Sequence, residues 1–537
     1  MTLSGVALRV RRIELGFCHA EAMGGVIGPA IGAGFVLVLC CAALAGARWP
    51  TRGASRHPAR WALHGRRLGV TVTCLLLAGS LYTSYTYIAV PGLMFGTGGL
   101  AMYAFAYTML LSPLVALLLP RLRDVTARHD LLTAADYVRA RYGSHSLALA
   151  IALTAILATL PYLTLQVVGV GAVLGAMKIE PHGLVGGALL ALLFLLLAGV
   201  VHRGGLRACV RLSCVTYVLG AAAVVVLLVL AVVQFGAPGQ IFDAAARRDD
   251  AAGPAFGSLP GGFLGSVMLA VGTALTQLLY PHVLLVVMAG REGRTLKAAT
   301  TWLPAWSLSL GVCAFLGVAA LAAGVTTPAG HGELAVPELI RELAPPWLAG
   351  VLYAALAMAG LLPAALMVMG MALLCVRNIY VEYLHPTAAP KREVRSLRWP
   401  VFTLMAAAVT LAVFIEPREA VRLHLLGDVW ILQILPAVVL SLFIRWFHRR
   451  ALFAGWAAGV VTGTGLLGLY GFRALVDVSI GPLHIPVHVA VAALAVNLAV
   501  TTVLSPVLDL LGVPRGRDET GGAMPHEPID SAFASVD

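Results

Sequence analysis

Thirteen stretches of mainly apolar residues, most of them twenty or more residues long, follow one another along this chain. They cover 24–47, 68–90, 98–120, 147–177, 183–201, 212–234, 262–289, 299–323, 347–376, 399–415, 425–444, 451–470 and 486–511. A backbone that crosses a bilayer must satisfy its own hydrogen bonds, and roughly 20 consecutive apolar residues do so as a single α-helix. The stretches therefore predict an all-α polytopic membrane protein with about 13 transmembrane helices. The short two-residue alternation of a membrane β-barrel is absent. Composition agrees: the 537 residues are 60% hydrophobic and only 12% charged, with a mean hydropathy of +0.90. Soluble domains carry about 25% charged residues.

The formal charge of +12 raises the question of a nucleic-acid partner, and the placement of the charges answers it. If the segment after the first stretch is cytoplasmic, the inner segments hold 27 of the 37 Lys and Arg residues, beginning with Arg48, Arg52, Arg56, Arg60, Arg66 and Arg67. Every inner loop is then basic, as the positive-inside rule requires. The charge is topological and implies no nucleic acid. This count places the N-terminus outside and the C-terminus in the cytoplasm of a bacterial-type plasma membrane. Arg9, Arg11 and Arg12 sit on the wrong side in that scheme, so residues 1–23 are read as a stub and Met23 as a candidate start.

The eight cysteines have neither zinc nor redox spacing, and most lie inside apolar runs, where a thiol acts as a small hydrophobe. No Walker-type glycine loop is present, so the chain carries no ATP motor of its own. Residues 514–537 are polar and rich in Gly, Pro and acidic side chains, and are read as a disordered cytoplasmic tail.

Charged or titratable side chains inside a bilayer are costly and mark function by default. The apolar stretches hold His282, Asp428 and His488. The last two fall near helix ends and are read as solvated there, whereas His282 is deeper and follows a proline. Broken helices are a second pointer, because many transporters bind solute where two helices unwind near the midplane. The second stretch contains Gly79-Ser80-Leu81-Tyr82-Thr83-Ser84-Tyr85-Thr86 and then Pro91-Gly92. Five stretches later comes Thr273-Ala274-Leu275-Thr276-Gln277-Leu278-Leu279-Tyr280-Pro281-His282. Small, hydroxyl and aromatic residues in mid-span offer carbonyls and hydroxyls to a solute, and an internal proline frees a carbonyl one turn back. Gln166 adds an amide in mid-span. Tyr82, Thr83, Tyr85, Gln166, Gln277, Tyr280 and His282 are the candidate solute-binding residues. Ordinary helix packing through Gly, Ser and Thr is the rival reading for each segment alone.

These segments resemble the sodium:solute symporter family. The resemblance rests on Tyr85-Thr86-Tyr87-Ile88-Ala89-Val90-Pro91-Gly92 with Gly96, Leu132-Thr133-Ala134-Ala135-Asp136-Tyr137 running to Arg141-Tyr142-Gly143-Ser144, Gln166 with Gly169, Pro281-His282, and Arg377-Asn378-Ile379-Tyr380. Its bacterial monocarboxylate-permease branch is suggested by Tyr280-Pro281-His282, Pro345-Pro346-Trp347-Leu348 and Trp430-Ile431-Leu432-Gln433-Ile434-Leu435-Pro436. The resemblance implies a LeuT-type core of two inverted five-helix repeats, here 68–234 and 262–444, with one extra helix at 24–47 and two C-terminal helices over 451–511. It also implies that a cation gradient drives solute uptake. In the family, sodium is held by backbone carbonyls of the first core helix, matching Gly79 and Tyr82, and by a hydroxyl pair of the eighth. Measured from Arg377-Asn378-Ile379-Tyr380, that pair falls on Leu362-Pro363, which have no hydroxyl. Hard cations need several oxygen ligands, so the coupling ion is left as sodium or proton.

The expected protein is thus a cation:solute symporter for a small organic anion, a monocarboxylate first of all, with no cofactor and no enzymatic activity. A transporter-like sensor or gated channel is the alternative. An intramembrane enzyme would need acid, base or metal residues clustered at one depth, which the sequence does not display.

Overall fold

The structure is a computed structural model and describes residues 57–249, 262–328, 331–387, 389–480 and 483–521. The first apolar stretch, 24–47, and the stub before it lie outside the described residues. Each of the other twelve stretches becomes a helix or a helix pair long and apolar enough to cross a membrane. Nine run without a sharp break, and three are bent pairs.

The first bent span is α1 (Val70–Leu81) followed by α2 (Val90–Thr97). It is followed by α3 (Tyr103–Arg128), α4 (His145–Ala176), α5 (Leu184–Gly204) and α6 (Leu206–Phe235). The second bent span is α7 (Gly262–Gln277) with α8 (Pro281–Ala289), and after it come α9 (Leu303–Ala323), α10 (Pro346–Leu374) and α11 (Pro390–Phe414). The third bend joins α12 (Pro417–Leu432) to Leu435–Leu442, at 41°. Two helices close the bundle, α13 (Arg449–Leu469) and α14 (Val489–Leu510).

Hydropathy cannot tell a central membrane helix from a lipid-facing one, because lipid and core are equally apolar; burial can. In α10, 94% of the most apolar window is buried, against 28% in α6, α13 and α14. Helix α10 is therefore the axis of the bundle, packed on α4, α6, α8, α1 and α11. The outer helices turn Val218, Val233, Val461 and Val503 outward, where lipid is their solvent.

Glycines let the bent spans approach α10 and α4. A Cβ at Gly370 of α10 would come 2.9 Å from the Pro281 carbonyl carbon. At Gly360 it would meet the Ser84 hydroxyl at 2.4 Å, and at Gly169 of α4 the Ser84 Cβ at 2.6 Å. Close backbone approach through small residues is the usual way membrane helices pack.

Two features depart from the sequence reading. A short antiparallel hairpin, β1 (Leu475–Ile480) with β2 (Leu483–His488), interrupts the all-α chain between α13 and α14. Its strands are rich in β-branched residues, which favour extended backbone. The tail expected to be disordered from 514 is folded in part. Asp518 pairs with Arg141, and the Glu519 N–H donates to the Ala140 carbonyl at 2.8 Å. The Arg141 charge is buried and needs a carboxylate partner, which the tail supplies.

The Asp136 and Arg377-Asn378 motifs meet at one end of the bundle. Thr133 caps the helix Ala134–Tyr142 by accepting from the Asp136 N–H at 2.9 Å, and Asp136 reaches back to accept from the Leu132 N–H at 3.0 Å. It also accepts from Asn378 Nδ2 at 2.7 Å and pairs with Arg377 at 3.4 Å. Arg377 reaches Glu393 at 3.3 Å, so the loop after α3, the end of α10 and the start of α11 form one charged lock.

Candidate solute and cation site

Both breaks follow from local sequence. Helix α1 ends at Tyr82, which is extended (φ −95°, ψ 94°), and Pro91 stands in the first turn of α2. Helix α7 ends at Gln277, Tyr280 is extended (φ −60°, ψ 137°), and Pro281 opens α8. Proline lacks the N–H that would continue the incoming helix, yet suits the first position of a new one. The two spans bend by 55° and 57°. Helices α8 and α1 pack on each other, and the Arg291 N–H donates to the Leu68 carbonyl at 3.1 Å. The two breaks therefore lie side by side.

Tyr82, Thr83, Gln166, Gln277, Tyr280 and His282 are all buried. The side chain of Tyr85 lies outside the described residues. The others divide into two groups. Tyr82 turns toward α9, with its hydroxyl 3.1 Å from Ser307 Oγ and its ring centroid 6.3 Å from that of Trp306. Gln166 holds the first break open: its Oε1 accepts from the Ser84 N–H at 3.1 Å, and its Nε2 donates to the Tyr162 carbonyl at 3.2 Å. An amide thus replaces the helical bond that the break has removed.

The second group gathers around Tyr162 of α4. Its hydroxyl is within hydrogen-bonding reach of the Thr83 and Gln277 side chains. Its ring lies 5.2 Å from Tyr280, 5.6 Å from His282 and 4.5 Å from His424, the last a stacked pair. His282 is fully buried; neither ring nitrogen makes a hydrogen bond of normal geometry among the described residues, and the Ser80 backbone at the first break is the group within its reach. The Ser84 and Thr86 hydroxyls and Gln277 Oε1 are likewise buried without partners. Buried polar atoms are normally bonded, so this concentration marks a place built to meet something else.

The sequence reading missed part of this group. Asp428 and His488, taken as solvated helix-end residues, are enclosed instead. The Asp428 side chain is 14% exposed, accepts from the Tyr280 hydroxyl at 2.9 Å, and lies 3.7 Å from His424 Nε2. His488 is buried against α7, where a Cβ at Gly272 would come within 2.5 Å of its ring. His424 and Tyr162 were not singled out at all. The spacing of His424 and Asp428, four residues apart on α12, was the available signal, since such pairs share a helix face. Gln433 and Asn497 anchor this end of α12 to α14, with Asn497 Nδ2 donating to the Gln433 carbonyl at 2.9 Å.

The place expected to hold a cation is occupied by hydrocarbon. Leu362 is fully buried, and its Cδ2 lies 2.4 Å from where a Cβ on Gly79 would stand. The proximity matches the expectation that Gly79 and residues 362–363 face each other. The side chains on the α10 side, Leu362, Pro363, Ala364 and Ala365, offer no oxygen, which leaves the carbonyls of Gly79 and Tyr82 short of the several ligands a hard cation needs.

Residues 61–459 match the profile of the sodium:solute symporter family. A monocarboxylate transport permease protein of Rhizobium johnstonii is 35% identical over 88% of this chain and 95% of its own length. YodF, an uncharacterized symporter of Bacillus subtilis, is 26% identical over 79% of this chain and 84% of its own. Among solved structures, a Na+-coupled sialic acid symporter superposes with a TM-score of 0.71 at 14% identity, covering 90% of this chain and 98% of that one. A nucleobase-cation-symport-1 family transporter superposes with a TM-score of 0.50, also at 14% identity, over 87% of this chain and 98% of that one. These two likenesses concern the fold, which is the LeuT-type arrangement. The chain is a multi-pass membrane transporter, and it belongs to the sodium:solute symporter family.

Proposed function

We propose that this symporter takes up a small monocarboxylate across the plasma membrane and that protons drive it. The N-terminus lies outside and the C-terminus in the cytoplasm, as the basic loops require, with 68–234 and 262–444 as the two repeats. The permease relative supports the substrate class, since the similarity covers nearly the whole of both chains. The second break suits a carboxylate: the N-terminal turn of α8 carries a positive partial charge, and the Thr83 and Tyr162 hydroxyls stand beside it, while the Tyr280 hydroxyl is committed to Asp428.

The observation that carries the choice of ion is the Leu362 side chain packed on Gly79, while a fully buried imidazole, His282, stands at the other break within reach of the Ser80 backbone. A solute carboxylate pairs with imidazolium, so solute and proton would bind together. Sodium symport is the second reading, favoured by the family, and would need oxygen ligands other than those at 362–363. Proteoliposomes with sodium and proton gradients imposed separately decide between them. The expected result is accumulation of radiolabelled lactate or pyruvate under an inward proton gradient, unchanged when choline replaces sodium at fixed pH. Accumulation that collapses without sodium would overturn the reading.

A further inference from the structure

Three clusters of charged or titratable groups carry no role in the reading above. A cavity of about 620 Å³ is lined by Arg66, Arg67, Arg123, Arg128, Arg291 and Arg294 with Asp124 and Glu292. Its basic character is what the positive-inside rule already demands of a cytoplasmic face, and it is open. The Asp136–Arg377–Glu393 lock ties loops together at the same end. The third candidate is the enclosed carboxylate on α12, and it carries an inference.

We propose that Asp428, with His424 and His488, is the station at which the coupling proton enters, and that Tyr280 links it to His282. This rests on the proton-symport reading above. The first argument is electrostatic. A carboxylate taken out of water needs a cation or a proton, or its cost is large. Among the described residues no Lys or Arg pairs with Asp428; its ionisable neighbour is His424, at 3.7 Å. His488, where the hairpin runs into α14, is close enough to feel the same carboxylate. The remaining titratable groups turned toward it are Tyr107 of α3, Tyr162 of α4 and Tyr280 on the link of the second break, all phenols. The Nδ1 atoms of His424 and His488 are both buried without partners, so each ring retains an unused site for a proton.

The second argument is placement. Helix α12 enters at Pro417, on the outer side in the proposed topology, and at 1.5 Å per residue Asp428 lies roughly 16 Å along it. His424 is one turn nearer the surface, and His488 marks the end of the hairpin. The chain of groups thus runs inward from His488 and His424 to Asp428, then through the Tyr280 hydroxyl at 2.9 Å, to His282, whose ring centroid is 5.5 Å from that of Tyr280. Tyr280 belongs to the link between α7 and α8, whereas Asp428 belongs to α12. Any movement of the bent span against α12 makes or breaks the Tyr280–Asp428 bond. That bond is where proton entry and the alternation of the transporter would be coupled.

An outside proton adds to the His424–Asp428–His488 group; the Tyr280 hydroxyl, which donates to Asp428 here, turns to the imidazole and passes its proton to His282 while Asp428 returns one to the phenol oxygen; no electron moves and no other reactant is needed.

The test uses the full chain in proteoliposomes, as wild type, Asp428→Asn, His424→Gln and His488→Gln. Three readouts are taken with radiolabelled lactate: exchange between preloaded and external solute without a gradient, accumulation under an inward proton gradient, and proton uptake reported by a lumenal pH dye. Wild type must accumulate and take up protons with solute; if it does so only with sodium, the proton-symport reading fails. Given that it does, Asp428→Asn should lower proton uptake per solute transported at least about tenfold, a larger loss than in exchange itself. Each histidine variant should shift the pH dependence of accumulation. Normal proton uptake per solute in Asp428→Asn overturns the station. Parallel loss of exchange and accumulation in all three variants also overturns it, since that marks residues that only hold the bundle together.

Discussion

The two bent spans turn by nearly the same angle, 55° and 57°, but the chemistry around the two bends differs in kind. The first is walled by hydroxyls, an amide and a hydrocarbon side chain. Ser84 is wedged between Gly169 and Gly360, its N–H is taken by Gln166, and Leu362 covers Gly79. None of these side chains changes charge near neutral pH. The second bend places His282 and Tyr280 beside Tyr162, His424 and Asp428. The comparison teaches that the geometry of the fold and the chemistry of its coupling ion are separable. The same pair of breaks is present although the side chains at 362–365 offer no oxygen beside Gly79.

The largest expected effect comes from His282→Gln, which keeps hydrogen bonding but cannot titrate. Uptake of lactate against a gradient should fall by about tenfold or more and its pH dependence should flatten, with normal protein in the membrane. A variant that still concentrates solute with an unchanged pH profile would leave both bends equally inert and break the comparison.

A smaller effect sharpens the contrast at the first bend. Gly79→Ala places a methyl 2.4 Å from Leu362 Cδ2 and 2.9 Å from the Tyr217 hydroxyl, and overpacking of this kind costs about 2–3 kcal/mol. Adding Leu362→Ala should recover part of the loss, read as the melting temperature in detergent. Additive losses would mean that Leu362 does not occupy the space facing Gly79.

The smallest effect concerns Gln166→Leu. It strips the Ser84 N–H of its acceptor and should cost about 1–2 kcal/mol by the same measurement. Gln166→Glu keeps an acceptor and should lie nearer wild type at a pH where the new side chain is protonated. Equal stability of Gln166→Leu and wild type would show that the first bend needs no amide to stay open.

What the sequence revealed, and what it hid, follows the same physics. The spans were legible because a bilayer leaves no alternative to long apolar helices. The bends were legible because Pro91, Pro281 and the small residues around them punctuate a helix locally. Tyr280 and His282 could be found for that reason. Asp428 and His488 were misplaced because distance along a helix gives depth but not direction. Whether a side chain near an end meets water or another helix depends on packing, here of α12 against Tyr162 and of His488 against Gly272. His424 stayed hidden for the same reason. The hairpin before α14 is a short alternation inside a loop, and the Asp518–Arg141 contact joins residues far apart in the chain.

Solute entry that carries a proton and needs no sodium leaves a direct signature in lumenal pH. The most direct measurement places wild-type protein in proteoliposomes with equal pH and choline salts on both sides, adds lactate outside, and follows lumenal pH. The account predicts prompt acidification of the lumen that saturates with lactate, disappears with a protonophore, and is unchanged when sodium is added. Lactate entry with no acidification beyond that of protein-free vesicles, or acidification that appears only with sodium, would contradict it.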